Sequence, residues 1–239
     1  MTTGSLARRV GPTAFLMAFA SMSYELLLAQ SSTILYGGTV VRYSTIIGLF
    51  IFSLGMGAAH WAWSHRVPTA STFWRLELAL AWLGIALPLV VFPMDALARE
   101  WLGASLAGVQ VGYLAALLLT LAVGWLSGME LPVLLLLSEA HSADAGGGSL
   151  GRRLVGLDFL GTVAATVVVP LLGYPHLGIV GTASLASGLN GLLGWWVGGR
   201  HGGRSCVALR LSSALSVGVS LLLFCMRDEV GAWLASEAF

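Results

Sequence analysis

The chain has 239 residues, of which 57% are hydrophobic and only 10% charged, and its mean hydropathy is +0.86. A water-facing surface at this length needs about 25% charged residues, which excludes an ordinary soluble globular domain. A formal net charge of +1, with no basic stripe to neutralise phosphates, also excludes an electrostatic nucleic-acid binder.

A hydrocarbon core of about 30 Å is crossed by roughly 20 apolar residues in a helix. Punctuating the chain at charges, glycine clusters and prolines predicts an all-α, polytopic transmembrane helix bundle of about seven helices in one domain. The expected spans are Thr13–Tyr36, Val41–Trp63, Phe73–Leu97, Leu106–Ser138, Leu154–Leu172, Gly178–Val197 and Val207–Met226. The first follows Arg8 and Arg9 as a signal peptide would, but it is long, contains Glu25 and lacks a small-residue cleavage site. It reads as a retained helix. The fourth exceeds one straight crossing, so it either tilts or breaks near Pro132, which removes a backbone hydrogen bond. The tail Arg227–Phe239 suits a short amphipathic helix on the membrane surface.

All twelve basic residues are arginine. Nine (Arg8, Arg9, Arg66, Arg75, Arg152, Arg153, Arg200, Arg204, Arg210) fall on the amino-terminal side of the expected spans. Only Arg42, Arg99 and Arg227 fall opposite, which predicts an inner (plasma) membrane protein with a cytoplasmic amino terminus. Small residues mark expected helix contacts: Gly48, Gly55 and Gly57, then Gly124 with Gly128, then Ala183, Ser187 and Gly191. Cys206 and Cys225 lack CxxC spacing, and the histidines lack zinc-binding spacing, so neither a disulfide nor a metal site is expected. His60 reads as an interfacial residue. The loop around Gly146–Gly148 lacks a GK[ST] ending and reads as a connection, not a phosphate loop. No cofactor is expected.

The acids carry the functional information. A carboxylate within the bilayer costs a few kcal/mol or more, so it usually faces a cavity or a partner. Glu25 lies mid-helix on a polar stripe with Ser21 and Ser32. Glu130 and Asp158 sit on neighbouring antiparallel helices, where they can approach each other. Glu77 is expected to pair with Arg75 near the headgroups as a structural ion pair. Two readings stand for Glu25, Glu130 and Asp158. They line a cavity for a small cation, with Tyr24 offering ring and hydroxyl to an ammonium, or they are buried structural partners of hydroxyls and of Arg75, Arg152 and Arg153. The acidic segment Ser23-Tyr24-Glu25-Leu26 recurs loosely as Gly128-Met129-Glu130-Leu131 three helices later, an offset that inverts topology as in repeat-built transporters.

Ser23-Tyr24-Glu25-Leu26, Ala29-Gln30, Ile47-Gly48-Leu49-Phe50 and Leu54-Gly55-Met56-Gly57 form an ordered series. It continues through Arg75-Leu76-Glu77-Leu78, Gly128-Met129-Glu130-Leu131-Pro132, Leu157-Asp158-Phe159-Leu160-Gly161, Pro170–Gly173 and Leu177-Gly178. Together these motifs, spanning roughly Phe15 to Thr182, resemble the membrane region of membrane-bound spermidine synthase-like proteins. The resemblance implies bacterial proteins in which a helical region precedes a soluble aminopropyltransferase domain using a decarboxylated S-adenosylmethionine-type donor. No such domain is expected before Phe239, so the chain reads as a stand-alone relative or a piece of a longer protein. Besides the lipid bilayer, the expected partners are a polyamine or other small cation. The alternatives are other membrane subunits, for an interaction subunit, and a coupling ion, for a proton- or ion-coupled transporter. Catalysis by these residues alone is not expected, since they include no nucleophile–base pair, metal set or cofactor fingerprint.

Overall fold

A computed structural model describes residues 3–38, 40–64, 67–102, 106–140, 147–198 and 204–238. The described elements are all helical: α1 (Thr3–Tyr36), α2 (Val40–Trp63), α3 (Ala70–Leu102), α4 (Leu106–Ala140), α5 (Gly147–Val168), α6 (Tyr174–Gly198), α7 (Arg204–Cys225) and α8 (Arg227–Ala238). A π-helical turn, Val169–Gly173, joins α5 to α6. Helix is the form such apolar runs adopt in lipid, because it satisfies every backbone donor and acceptor within the segment. Local chemistry sets the ends. Gly37, with φ of 86°, closes α1 in the left-handed conformation that glycine adopts without a Cβ clash. Thr69 opens α3 in a reciprocal cap, since Thr72 N–H donates to Thr69 Oγ1 and Thr69 N–H to Thr72 Oγ1.

Six described stretches are long and apolar enough to cross a membrane. The longest, Leu150–Gly198, has 49 residues, about 74 Å of helix, more than two hydrocarbon thicknesses. It is two crossings. Gly178 leaves helical geometry (φ 67°, ψ −174°), and Gly173 lies against Thr182 across the reversal. The neighbours of α1 confirm the turn. Gly11 lies against Leu157 and Phe15 against Gly161, so α5 runs parallel to α1. Tyr24 meets Ser187 and Asn190, while Gln30 and Ile34 border a cavity with residues 174–180, so α6 runs antiparallel. The break expected near Pro132 does not occur: α4 is continuous from Leu106 to Ala140. At about 52 Å it tilts or protrudes instead. Pro170 in the π turn and Gly178 take the role of breaking the chain.

α1 and α3 are the most enclosed helices, while α2, α4, α5 and α7 turn broad apolar faces outward. Phe159, Leu160, Leu171, Leu211 and Leu215 are all more than half exposed, an outer surface that suits acyl chains rather than water. Glycines set the closest approaches. A Cβ on Gly57 would strike the Trp125 carbonyl, and one on Gly128 the Leu54 carbonyl, so α2 and α4 touch backbone to backbone. Gly48 and Gly55, expected at contacts, have nothing within 4 Å and belong to the open face. α7 is stitched to α3 through Trp74 Nε1 to Ser213 Oγ (2.7 Å) and Trp82 Nε1 to Ser212 Oγ (3.1 Å). The tail helix α8 does not merely rest on a surface. Its Leu234 is buried in the main apolar core beside Val180 and Phe92.

At the opposite end from the amino terminus, Arg99 turns inward. Its Nε donates to Asp95 Oδ2 at 2.8 Å and its Nη2 to the Leu35 carbonyl at 2.9 Å, near the end of α1. Two outcomes are expected from thermal melts in detergent. Gly128→Ala should lower the melting temperature sharply, by an amount equivalent to about 2–3 kcal/mol of overpacking, whereas Gly48→Ala should leave it unchanged. Arg99→Leu should cost about 3 kcal/mol, because it strands the fully buried Asp95 carboxyl. The cost stays near the low end for a broken buried pair because Arg99 is 35% exposed.

Candidate functional site

Where α1, α3, α4 and α6 meet, the interior is polar. α1 contributes Ser21 and Tyr24, one helical turn apart and both buried. α3 contributes Glu77, α4 Glu130, and α6 Ser187 with Asn190 one turn on; all four are 2% exposed or less. Ser21 Oγ donates to Glu130 Oε2 at 2.9 Å. Asn190 Nδ2 donates to Tyr24 Oη at 3.3 Å, and Tyr24 Oη donates to Ser187 Oγ at 3.5 Å. Ser187 in turn donates to the Ala183 carbonyl at 2.7 Å. The carboxyls of Glu77 and Glu130 face and interact with each other directly.

Glycine again permits the convergence. A Cβ on Gly84 would collide with the Tyr24 ring and the Ser187 hydroxyl, and one on Gly194 with the Trp74 ring and the Glu77 side chain. α3 and α6 therefore close tightly around the polar groups. None of the described cavities is lined by Tyr24, Glu25, Glu77, Glu130 or Asp158, so the acid-lined cavity expected from sequence is not among them.

Four oxygens of this cluster stand out. Both oxygens of Glu77, Oε1 of Glu130 and Oδ1 of Asn190 are buried with no hydrogen-bond donor from another described residue, and a proton shared between the two facing carboxyls lets one of them donate to the other. No described arginine reaches them. The described ion pairs are Arg99–Asp95 and Arg227–Asp228, and Arg75, Arg152 and Arg153 are exposed. What the cluster lacks is a hydrogen-bond donor to these oxygens from outside the carboxyl pair. That lack is its chemical signature.

The structure thus brings together two of the residues expected from sequence, Tyr24 and Glu130. Asp158, half-buried, lies within electrostatic reach of Glu130. Glu25 is buried on the Ser21 side of α1, and among the described residues it has no hydrogen-bond or ion-pair partner. The Arg75–Glu77 ion pair does not form. Residues two apart on a helix point to nearly opposite sides, so Arg75 faces out while Glu77 faces the core. Guanidinium partners for Glu130 from Arg152 and Arg153 are likewise absent among the described residues. Ser187 and Asn190 were missed as site residues, although a Ser–Asn pair one turn apart in an apolar span was a readable signal. So was the Asp95–Arg99 spacing of four. His60 packs edge-on against Trp125, with ring centroids 5.6 Å apart, as an interfacial residue would. Cys225 is free and exposed. The side chain of Cys206 and residues 141–146 of the glycine-rich loop lie outside the described part.

No family model matches the chain, and no solved structure matches it. Curated proteins do. Two proteins of Ralstonia nicotianae, polyamine aminopropyltransferases 1 and 2, are each 27% identical over 233 residues, which is 94% of this chain. The match spans 43% of the second enzyme and 42% of the first. A polyamine aminopropyltransferase of Corynebacterium efficiens is 31% identical over 197 residues, covering 81% of this chain and 34% of that protein. The chain therefore spans less than half the length of the curated relatives it matches, and along most of its own length it is similar to proteins named polyamine aminopropyltransferases.

Proposed function

We propose that this chain is a membrane module that takes up a small cationic amine of the polyamine class, held at Glu77, Glu130, Tyr24 and Asn190. The observation that carries this reading is the buried, facing carboxyl pair of Glu77 and Glu130. An alkylammonium brings three N–H donors and one positive charge, which suits the carboxyl oxygens of Glu77 and Glu130 left without a donor from another residue. The Tyr24 ring and hydroxyl border the same point. Asp158 adds negative potential behind Glu130. Glu25, one turn along from Ser21, stands beside the cluster as a second station for the amine. The names of the similar proteins favour a polyamine among small amines. The proposed location is a bacterial inner membrane with the amino terminus in the cytoplasm, supported by the nine-to-three arginine bias.

Three measurements test this. Spermidine binding to the purified chain, read by scintillation proximity, should weaken at least tenfold on Glu77→Gln and on Glu130→Gln, since each keeps shape and removes charge. Undiminished binding in both variants removes the amine site. Glu25→Gln decides the extent of the path: reduced affinity includes Glu25, and unchanged affinity confines the site to Glu77 and Glu130. For orientation, a periplasm-active reporter fused after Phe239 should be active and one inserted before Thr69 silent; the reverse pattern overturns the assignment.

A further inference from the structure

We infer that the chain is built as two inverted repeats, α1–α3 and α4–α6, and that it works as a transporter that exposes the Glu77–Glu130 cluster alternately to the two sides of the membrane. This rests on the proposed amine site for the identity of the cargo, but not for the architecture.

The helix pairing obeys a two-fold exchange in which α1 takes the place of α4, α2 of α5, and α3 of α6. α1 packs along α5 as α4 packs along α2, and these are the two extensive parallel pairs. α1 lies against α6 as α4 lies against α3. Among α1–α6 the remaining major pairs, α1 with α4 and α3 with α6, are their own images, while α7, which packs on α6 and α3, lies outside the repeats. Three helices per half, an odd number, give the halves opposite orientation across the membrane.

The kinds of contact repeat, although not in register with Glu25 and Glu130. Gly161 of α5 meets the Phe15 carbonyl of α1, and Gly57 of α2 meets the Trp125 carbonyl of α4. In the self-paired helices the contact is reciprocal. Gly84 of α3 lies against Ser187 of α6, and Gly194 of α6 lies against Glu77 of α3, with glycine and polar residue two turns apart on each helix. Such mutual exchange of one contact is the mark of a two-fold interface. The acidic segments around Glu25 and Glu130 sit on the first helix of each repeat.

The polar cluster lies on this seam. Ser21–Glu130, Tyr24–Ser187, Asn190–Tyr24 and Glu77–Glu130 all join a residue of one repeat to a residue of the other. The ionisable groups are thus buried in this closed arrangement, where the α1/α5, α2/α4 and α3/α6 pairs meet, and relative motion of these pairs is what opens a path. The tight backbone contacts make α1/α5 and α2/α4 the two units that move, over the α3/α6 platform. Because the units are equivalent by the two-fold, tilting one way opens one end and tilting the other way opens the opposite end.

Spin-label distances test this on the full chain in nanodiscs, with Cys206 and Cys225 replaced by Ser. Val41→Cys with Val167→Cys reports the end far from the amino terminus, and Trp63→Cys with Arg153→Cys the near end. Val41, Val167 and Trp63 are 74%, 52% and 73% exposed, so labels there leave the interior undisturbed. Two distance populations are expected at each end, shifting in opposite senses on addition of spermidine, together with spermidine flux into proteoliposomes. A single distance at both ends, unmoved by spermidine or by acidification, overturns the inference, as do two ends that open together. Spermidine binding with one fixed conformation removes transport and leaves the amine site standing. Two opposed states without spermidine binding remove the amine and leave the architecture standing.

Discussion

Two buried carboxyl groups facing each other in the interior set the terms for the rest of this molecule. Glu77 and Glu130 cannot be satisfied by lipid, and the hydroxyl of Ser21 answers only one of their oxygens. The surrounding helices close around them through glycine contacts at Gly84 and Gly194, which deepens the need for a positive partner. A fold that only needed stability would gain by replacing such a pair with apolar side chains of similar size. Its presence at the meeting point of four helices is the feature on which the proposed amine site rests.

The scaffold around this point separates two kinds of polar interaction. Asp95 and Arg99 form a charge pair that also ties α3 to the end of α1 through the Leu35 carbonyl. Its charges are paired, although Asp95 Oδ1 is buried without a hydrogen-bond partner. The tryptophan–serine bonds between α3 and α7 are complete and hold a peripheral helix in place. At the α1–α3–α4–α6 junction, by contrast, three carboxyl oxygens and one amide oxygen are buried without a donor from another described residue. The contrast between a closed electrostatic tie and an open one distinguishes structural polarity from the proposed functional polarity within a single bundle.

The similar curated proteins are more than twice as long as the matched region. Their shared name concerns aminopropyl transfer, and the stretch similar to this chain is helical and apolar. The proposed amine site would be chemically compatible with such a transferase, whose name points to the same cationic class. The inverted pairing of α1–α3 with α4–α6 supplies a mechanical basis for movement that a simple anchor would not need.

Composition and hydrophobic run length were enough to establish an all-helical membrane bundle. Both are one-dimensional quantities, and the bilayer accepts few solutions for a chain so poor in charge. The same reasoning marked Tyr24 and Glu130, because any acid within an apolar run stands out. It misplaced Glu77 by pairing it with Arg75, where helical periodicity alone turns the two apart. It also could not separate Gly57 and Gly128, which touch a neighbouring backbone, from Gly48 and Gly55, which face open space. Which face of a helix meets which partner depends on crossing geometry, and no local pattern encodes that. The reversal at Gly178, the recruitment of Ser187 and Asn190, and the reciprocal contact of α3 with α6 were decided only by the tertiary structure, because each joins residues on helices distant in sequence.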